Sequence, residues 1–328
     1  MKINRRLVLA ILLFVTLFGT LYISTYLYIT DSNKKEDPFN ISVIVYGSNS
    51  DRWATLKQGI DQGAADFGAQ VNFVTMTMDN NVDEQRKLLE REILNGADGI
   101  IMAATDSYSM KNAVEDAALT LPIVMVETNV EGVEGIPYIS ADNYSMGLNI
   151  GRSVILNCNQ EASTNTDIKI ALLMENQRRS SVYERYDGFM DSLKYSGFNI
   201  ELWQREEDEQ NLSLFIQDRM KESNVDILVA LDDTSLEAVI DAVETNDYMI
   251  NVYGIGSTNK IIHYLDYGVL NSVVYQNEFN MGYLSIQKFF VKDEEKSNSP
   301  LTEIEFRTIN RDTMYLPKNQ RLVFPIIQ

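Results

Sequence analysis

The chain has 328 residues, 45% of them hydrophobic and 23% charged, with a formal charge of −19. That composition is one of a folded globular protein with room for two domains, and a surface so acidic repels phosphate backbones and excludes nucleic acid as a partner. Cys158 is the only cysteine, so no intrachain disulfide forms and no lipid-modified cysteine follows the N-terminal segment.

Met1-Lys-Ile-Asn-Arg-Arg6 is basic, and Leu7 to Ile29 is an uncharged stretch of 23 residues. About 20 apolar residues suffice to cross the hydrocarbon core of a bilayer. Tyr22, Tyr26 and Tyr28 gather at the far end of the stretch, where aromatic rings favour the interface, and the basic flank stays cytoplasmic. No small-residue cleavage site of the A-x-A kind follows. Residues 1–30 therefore read as one N-terminal transmembrane helix in the cell membrane, with the bulk of the chain extracytoplasmic. A cleaved signal sequence is the alternative, and it would leave the rest secreted. Residues 31–39 read as a polar linker.

Strands and helices then alternate. Ile41-Ser-Val-Ile-Val-Tyr46 is a strand, and the next helix puts Trp53, Leu56, Ile60, Ala64 and Phe67 on one face before Gly68 stops it. Val71–Met78 returns as a strand, and a helix from Asn81 stops at Asn95-Gly96. Asp98–Ala104, without a polar face, suits a buried parallel strand; helix Ser109–Thr120 and strand Pro122–Glu127 follow. A second set repeats the scheme: strands Asp167–Met174, Asn199–Trp203, Asp226–Leu231, Ile250–Ile255 and Leu270–Tyr275, with helices Ser181–Ser196, Asn211–Ser223, Ser235–Asn246, Asn259–Tyr267 and Met281–Val291. The strand starts Ile41, Val71, Asp98 and Pro122 lie 127 or 128 residues before Ile168, Asn199, Asp226 and Ile250. One register shared by two βα runs predicts two similar Rossmann-like lobes, each a doubly wound parallel sheet, facing each other across a cleft.

Ligands of such sheets sit beyond the carboxyl ends of the strands. The residues there are Ser50, Arg52 and Trp53 after the first strand, and Asp106 after Asp98–Ala104. Arg185 lies in the first turns after Asp167–Met174, Asp232 and Asp233 close Asp226–Leu231, and Gln276 follows Leu270–Tyr275. An indole face, carboxylate acceptors, a forked guanidinium and an amide suit a polyhydroxylated ligand. Each has a plainer role as well: Trp53 as core, Asp106 and Asp233 as helix caps. Enzyme signals are weak. His263, the sole histidine, sits in a helix without a nucleophile nearby, and Gly254-Ile-Gly256 fails the dinucleotide fingerprint because Asn259 stands at the third glycine position. No P-loop, zinc-protease motif or Cys/His cluster occurs, so neither a metal nor a cofactor is expected. The acidic run Glu206-Glu-Asp-Glu209 reads as a solvated loop.

From about Ile41 to Gly282 the chain resembles the periplasmic sugar-binding proteins of the ribose/galactose type, which share the type I solute-binding fold with the ligand-binding half of LacI-type repressors. The resemblance is carried by Trp53-Ala-Thr-Leu-Lys-Gln-Gly59, Asn95-Gly-Ala-Asp-Gly-Ile-Ile101, Thr105-Asp-Ser107, Ser140-Ala-Asp-Asn143, Glu184-Arg-Tyr-Asp-Gly-Phe189, Asp232-Asp233 and Tyr275-Gln276. It implies two lobes joined by a three-segment hinge, through Ala141 and Asp142, through Asn277, and after the helix that ends near Val291. Lobe 1 would then be 40–140 plus 278–300, and lobe 2 would be 141–277 plus 301–328. It also implies that Asp106, Arg185, Asp232 and Gln276 contact ligand.

Arg52 and Trp53 stand where the ribose-type members carry two aromatic residues. Gly254-Ile-Gly-Ser257 replaces their usual Gly-Phe-Asp segment, so Gly256 takes the place of a hydroxyl-binding aspartate. Arg52 and Arg185 at the mouth would instead favour an acidic sugar or another anion. What the resemblance implies is a solute receptor, not an enzyme, delivering a sugar-like ligand to the permease of an ABC-type importer. The alternative is a membrane-tethered sensor that presents its closed form to a histidine kinase. The apolar Leu322-Val-Phe-Pro-Ile-Ile327 is expected to pack on the second lobe.

Overall fold

The computed structural model describes residues 14–25, 38–49, 51–160, 168–205, 211–246, 249–291 and 301–324. Ser50, the acidic run 206–209 and the rest of the N-terminal segment lie outside them. Within the unit Met1–Phe39, residues 14–25 are helical, with Phe14, Leu17, Phe18 and Leu21 exposed. Among the described residues no helix is long and apolar enough to cross a membrane, so the transmembrane helix expected over Leu7–Ile29 has no counterpart in them.

The unit Asn40–Gln328 contains two six-stranded sheets. The first has β1 (Asn40–Ile44), β2 (Gln70–Val74), β3 (Gly99–Met102), β4 (Ile123–Val126), β5 (Tyr138–Ser140) and β11 (Leu301–Glu303), in the order β11-β5-β4-β3-β1-β2. The second has β6 (Lys169–Leu173), β7 (Asn199–Trp203), β8 (Ile227–Ala230), β9 (Asn251–Ile255), β10 (Ser272–Gln276) and β12 (Phe306–Ile309), in the order β12-β10-β9-β8-β6-β7. Pairing is parallel throughout except between β10 and β12. The central strands β3, β4 and β8 are buried along their whole length, as continuous apolar runs require when helices cover both faces.

Each sheet borrows a helix across the hinge. Helix Asn143–Gln160 leaves β5 of the first sheet but packs on helix Ser180–Leu193 of the second, and helix Glu278–Phe290 leaves β10 of the second but packs on helix Ala54–Phe67 of the first. Both crossings are glycine contacts. A Cβ on Gly59 would lie 1.9 Å from the carbonyl oxygen of Phe279, and one on Gly147 would lie 2.0 Å from that of Arg185. Only glycine admits backbones that close.

Among the described residues three segments cross between the sheets. Ala141–Asp142 joins β5 to its borrowed helix, and Asn277 joins β10 to its own. The third runs through Ile304 and Glu305, because Leu301–Glu303 pairs with β5 in the first sheet while Phe306–Ile309 pairs with β10 in the second. The boundary read at 300/301 thus falls later. Short strands in the tail were invisible because Leu301–Glu303 alternates neither in burial nor in polarity. Helix Asn143–Gln160 also went unread, its polar and apolar residues mixed. At the chain's end Leu322 and Val323 enter the core of the second lobe beside Ile309 and Met314, and residues 325–328 lie outside the described residues.

Candidate functional site

The carboxyl ends of β1 and β4 face those of β8 and β10 across the cleft, and Arg52 reaches between them. Its Nη2 pairs with Glu127 Oε1 at 2.8 Å, its Nη1 with Glu278 Oε1 at 2.7 Å, and its Nε with Asp233 Oδ2 at 3.0 Å. Glu127 follows β4 and Asp233 opens the helix after β8, so the last of these pairs ties one lobe to the other. All four side chains are buried. Burial opposes the charge on Arg52, but the three carboxylates overcome it and hold the guanidinium firmly protonated.

The carboxylates divide the charge unequally. Burial works against ionising Glu127, yet Arg52 and Arg185 keep its carboxyl below the usual range. Tyr46 donates its hydroxyl to Glu127 Oε2 at 2.5 Å. Burial wins at Asp233, which is raised, and at Glu278, which is pushed up to about 7. Glu278 Oε2 and Gln276 Oε1 have no hydrogen-bond partner among the described residues. Glu127 holds φ of 59°, a left-handed backbone that a non-glycine residue adopts at a cost of about 1–3 kcal/mol.

The sequence-selected residues divide into three groups. Arg52, Trp53, Asp233, Arg185 and Gln276 come together around this cluster. Arg185, 1% exposed, donates to Asn143 Oδ1 (2.9 Å) and to the Leu231 carbonyl (3.2 Å), and lies 3.6 Å from Glu127. Gln276 donates to Glu278 at 3.3 Å. Trp53 donates its indole N–H to the Tyr46 carbonyl, and the Arg52 guanidinium lies 4.4 Å from its ring centroid. The stacking face anticipated for a sugar is therefore covered by the chain's own arginine, as cation–π attraction favours. Arg52 serves three internal carboxylates, while Arg185 Nη2 has no hydrogen-bond partner among the described residues and faces Glu127 at 3.6 Å.

Asp106 and Asp232 form the second group and act as caps. Asp106 accepts from the backbone N–H groups of Tyr108 and Ser109 and from the Ser109 hydroxyl. Asp232 accepts from the N–H and hydroxyl of Ser235 and from the Glu175 N–H. Ser50, the third, is outside the described residues. His263 is exposed on its helix.

Gly256 has a steric explanation. A Cβ there would lie 2.4 Å from Ile261 Cδ1 and 3.1 Å from Asp233 Oδ1. A side chain at position 256 would therefore crowd Ile261 first and the Asp233 carboxylate second.

Beside Arg52 a cavity of about 220 Å³ opens between the lobes. Tyr46, Asn49 and Asp79 line it from lobe 1, and Glu175, Arg179, Asp233, Thr234, Glu237 and Asp241 from lobe 2. Arg179 lies with its guanidinium 3.6 Å from the Tyr46 ring centroid and donates to Asn80 across the cleft at 2.7 Å. Asn80, like Glu127, has a left-handed backbone, with φ of 56°. Sequence reasoning missed Tyr46, Asn80, Glu127, Glu175, Arg179, Glu237 and Glu278. Tyr46, Glu127, Glu175 and Glu278 all fall within two residues of a strand's carboxyl end, so the rule that found Asp232 and Gln276 would have found them had it been applied to every strand.

A family model for the periplasmic binding protein domain matches residues 41–289. The ribose import binding protein RbsB of Bacillus subtilis (strain 168) is 30% identical over 116 residues, which are 35% of this chain and 37% of that protein. Among solved structures, a carbohydrate transporter solute-binding protein from Agrobacterium radiobacter in complex with D-arabinose superposes with a TM-score of 0.79 at 19% identity, over 88% of this chain and 100% of that one. An ABC transporter solute-binding protein from Agrobacterium vitis with bound D-fucose gives 0.77 at 17% identity, over 87% and 100%. The glucose-galactose binding protein GanP of Geobacillus stearothermophilus gives 0.73 at 17% identity, over 86% and 100%. At these identities the structures establish a shared two-sheet fold. The family match runs from the first strand to the helix Glu278–Phe290, and this chain belongs to the periplasmic binding protein domain family.

Proposed function

We propose that the protein is an extracytoplasmic solute-binding protein, not an enzyme, which captures a small polyhydroxylated ligand between its lobes. The observation that carries this is the cavity itself: strand ends of both lobes enclose it, and donors and acceptors converge on it from each side. A ligand bridging the two walls would close the lobes about the crossings at Ala141–Asp142, Asn277 and Ile304–Glu305. The contact residues proposed are those that line the space, with Arg52, Trp53 and Asp233 as its floor. Arg185, Gln276, Asp106 and Asp232 support the site from behind.

The family's setting is outside the cytoplasm, and the uncharged run Leu7–Ile29 supports a tether to the cell membrane. Delivery of a sugar to an ABC-type importer is the first reading of the output, and presentation of the closed form to a sensor histidine kinase is the second. Genes for a permease and ATPase beside this one favour import, whereas a kinase gene favours sensing. Thermal unfolding of the full chain against pentoses, hexoses, amino sugars, uronic acids and polyols tests the ligand class. A ligand at a hundredfold its dissociation constant adds about 2.7 kcal/mol and moves the transition by several degrees. A flat screen against every sugar class would refute the reading.

A further inference from the structure

The walls of the cavity are unbalanced in charge. Asp79, Glu175, Asp233, Glu237 and Asp241 line it against only Arg52 and Arg179. Arg52 is already shared among Asp233, Glu127 and Glu278, and Lys260 behind the wall takes Asp241. Glu175 and Glu237 form no ion pair among the described residues. Burial holds both above the usual carboxylate range, with Arg179 easing it for Glu175, and the Thr258 hydroxyl and Lys260 for Glu237. Neighbouring Asp232, Asp79 and Asp233 add to the repulsion.

A second observation points to a ligand on the same wall, that of lobe 2. Arg179 is 2% exposed and lines the cavity, its Nη2 is engaged by Asn80 and its face by Tyr46, yet its Nε has no partner among the described residues. A buried N–H left unpaired asks for an acceptor oxygen. A metal ion does not answer the carboxylates, because no group of three His, Cys, Asp or Glu side chains among the described residues could hold one. The occupant must therefore offer oxygen to Arg179 and positive charge to Glu175 and Glu237.

We infer that the ligand is a small polyhydroxylated molecule bearing a protonated amine, its ammonium received by Glu237 and Glu175 and one of its oxygens by Arg179 Nε. This rests on the sugar-binding reading above and narrows its ligand class, reversing the acidic sugar that the arginines suggest in the sequence. An ammonium facing unpaired carboxylates forms charge-assisted bonds that a neutral hydroxyl matches only in part.

Isothermal titration of the full chain at pH 6.5 with D-glucosamine and D-galactosamine, against D-glucose, D-galactose and D-glucuronate, decides the matter. The amino sugars are expected to bind about tenfold tighter than their neutral parents or better, with glucuronate weakest. Glu237→Gln should remove most of that preference, and Glu175→Gln is the second variant should the first fold poorly. Equal or tighter binding by a neutral sugar or the uronate overturns the amine while leaving sugar binding in place. Silence from both amino sugars overturns the amine, and the wider thermal screen across sugar classes decides sugar binding separately.

Discussion

After β3, Asp106 accepts from the backbone N–H and the hydroxyl of Ser109; after β8, Asp232 accepts from the same two groups of Ser235, at the same spacing. In both lobes the cap turns the following residue toward the opposite lobe, and there the likeness ends. Ser107 makes a neutral seam. Its hydroxyl donates to the Asn129 carbonyl at 2.6 Å and accepts from the Ser180 N–H at 2.9 Å, and its own N–H donates to the Arg178 carbonyl at 2.9 Å. Asp233 makes an ionic one, paired with Arg52 at 3.0 Å and accepting from the Ser257 N–H. A repeated backbone motif thus aims a residue across the cleft, while the residue type decides whether closure depends on charge. The Ser107 contacts carry no charge to titrate, whereas the ionic seam rests on one guanidinium.

Removing that guanidinium should have the largest effect. Arg52→Ala strands Glu127, Asp233 and Glu278 in a buried space, and breaking a buried ion pair from one side costs about 3–5 kcal/mol. Urea unfolding measures it, and a loss below about 1 kcal/mol would mean the ionic seam is not structural.

Next comes the pH dependence. Glu278 has its pKa raised by burial to about 7, so the native state holds a proton that the unfolded chain releases at lower pH. Stability therefore falls as pH rises from about 4.5 to 7 and levels off above, by on the order of 3 kcal/mol for this group. Asp233, Glu175, Glu184 and Glu237, also raised, add slope of the same sign. Glu278→Gln should flatten the part of the curve nearest pH 7 in melts taken at half-unit steps, and an unchanged slope would assign it to the other carboxylates.

On the neutral side, Ser107→Ala should cost about 1–3 kcal/mol by orphaning the Ser180 N–H, with no change in pH dependence. A pH-dependent loss would erase the distinction between the seams. The smallest effect belongs to Arg178, whose side chain is 74% exposed while it pairs with Asp106 at 3.2 Å. Arg178→Ala should move unfolding by no more than about 1 kcal/mol.

Much of the architecture was legible before any coordinates. The apolar runs around Ile41, Gly99, Lys169 and Ile227 became strands within a residue or two of their expected ends, and Gly68 closes its helix in the left-handed conformation. Asp106 was legible as a cap because its bonds run to the next three residues. Glu127 and Glu278 were not legible as partners of Arg52, lying 75 and 226 residues away from it, a separation on which local pattern has no bearing. Trp53 was legible as an aromatic surface, but not as one already covered by its neighbour.

By itself the sequence determined the alternation, the duplication and the strand ends where a site could form, because periodicity and turn chemistry act over a few residues. Only the tertiary structure decided which charges meet. It set Arg52 against three carboxylates, brought Ile261 and Asp233 up against Gly256, and left Glu175 and Glu237 lining the cavity with no ion pair among the described residues. Charge pairing depends on distance in space and on exclusion of water, and both exist only once the two lobes have come together.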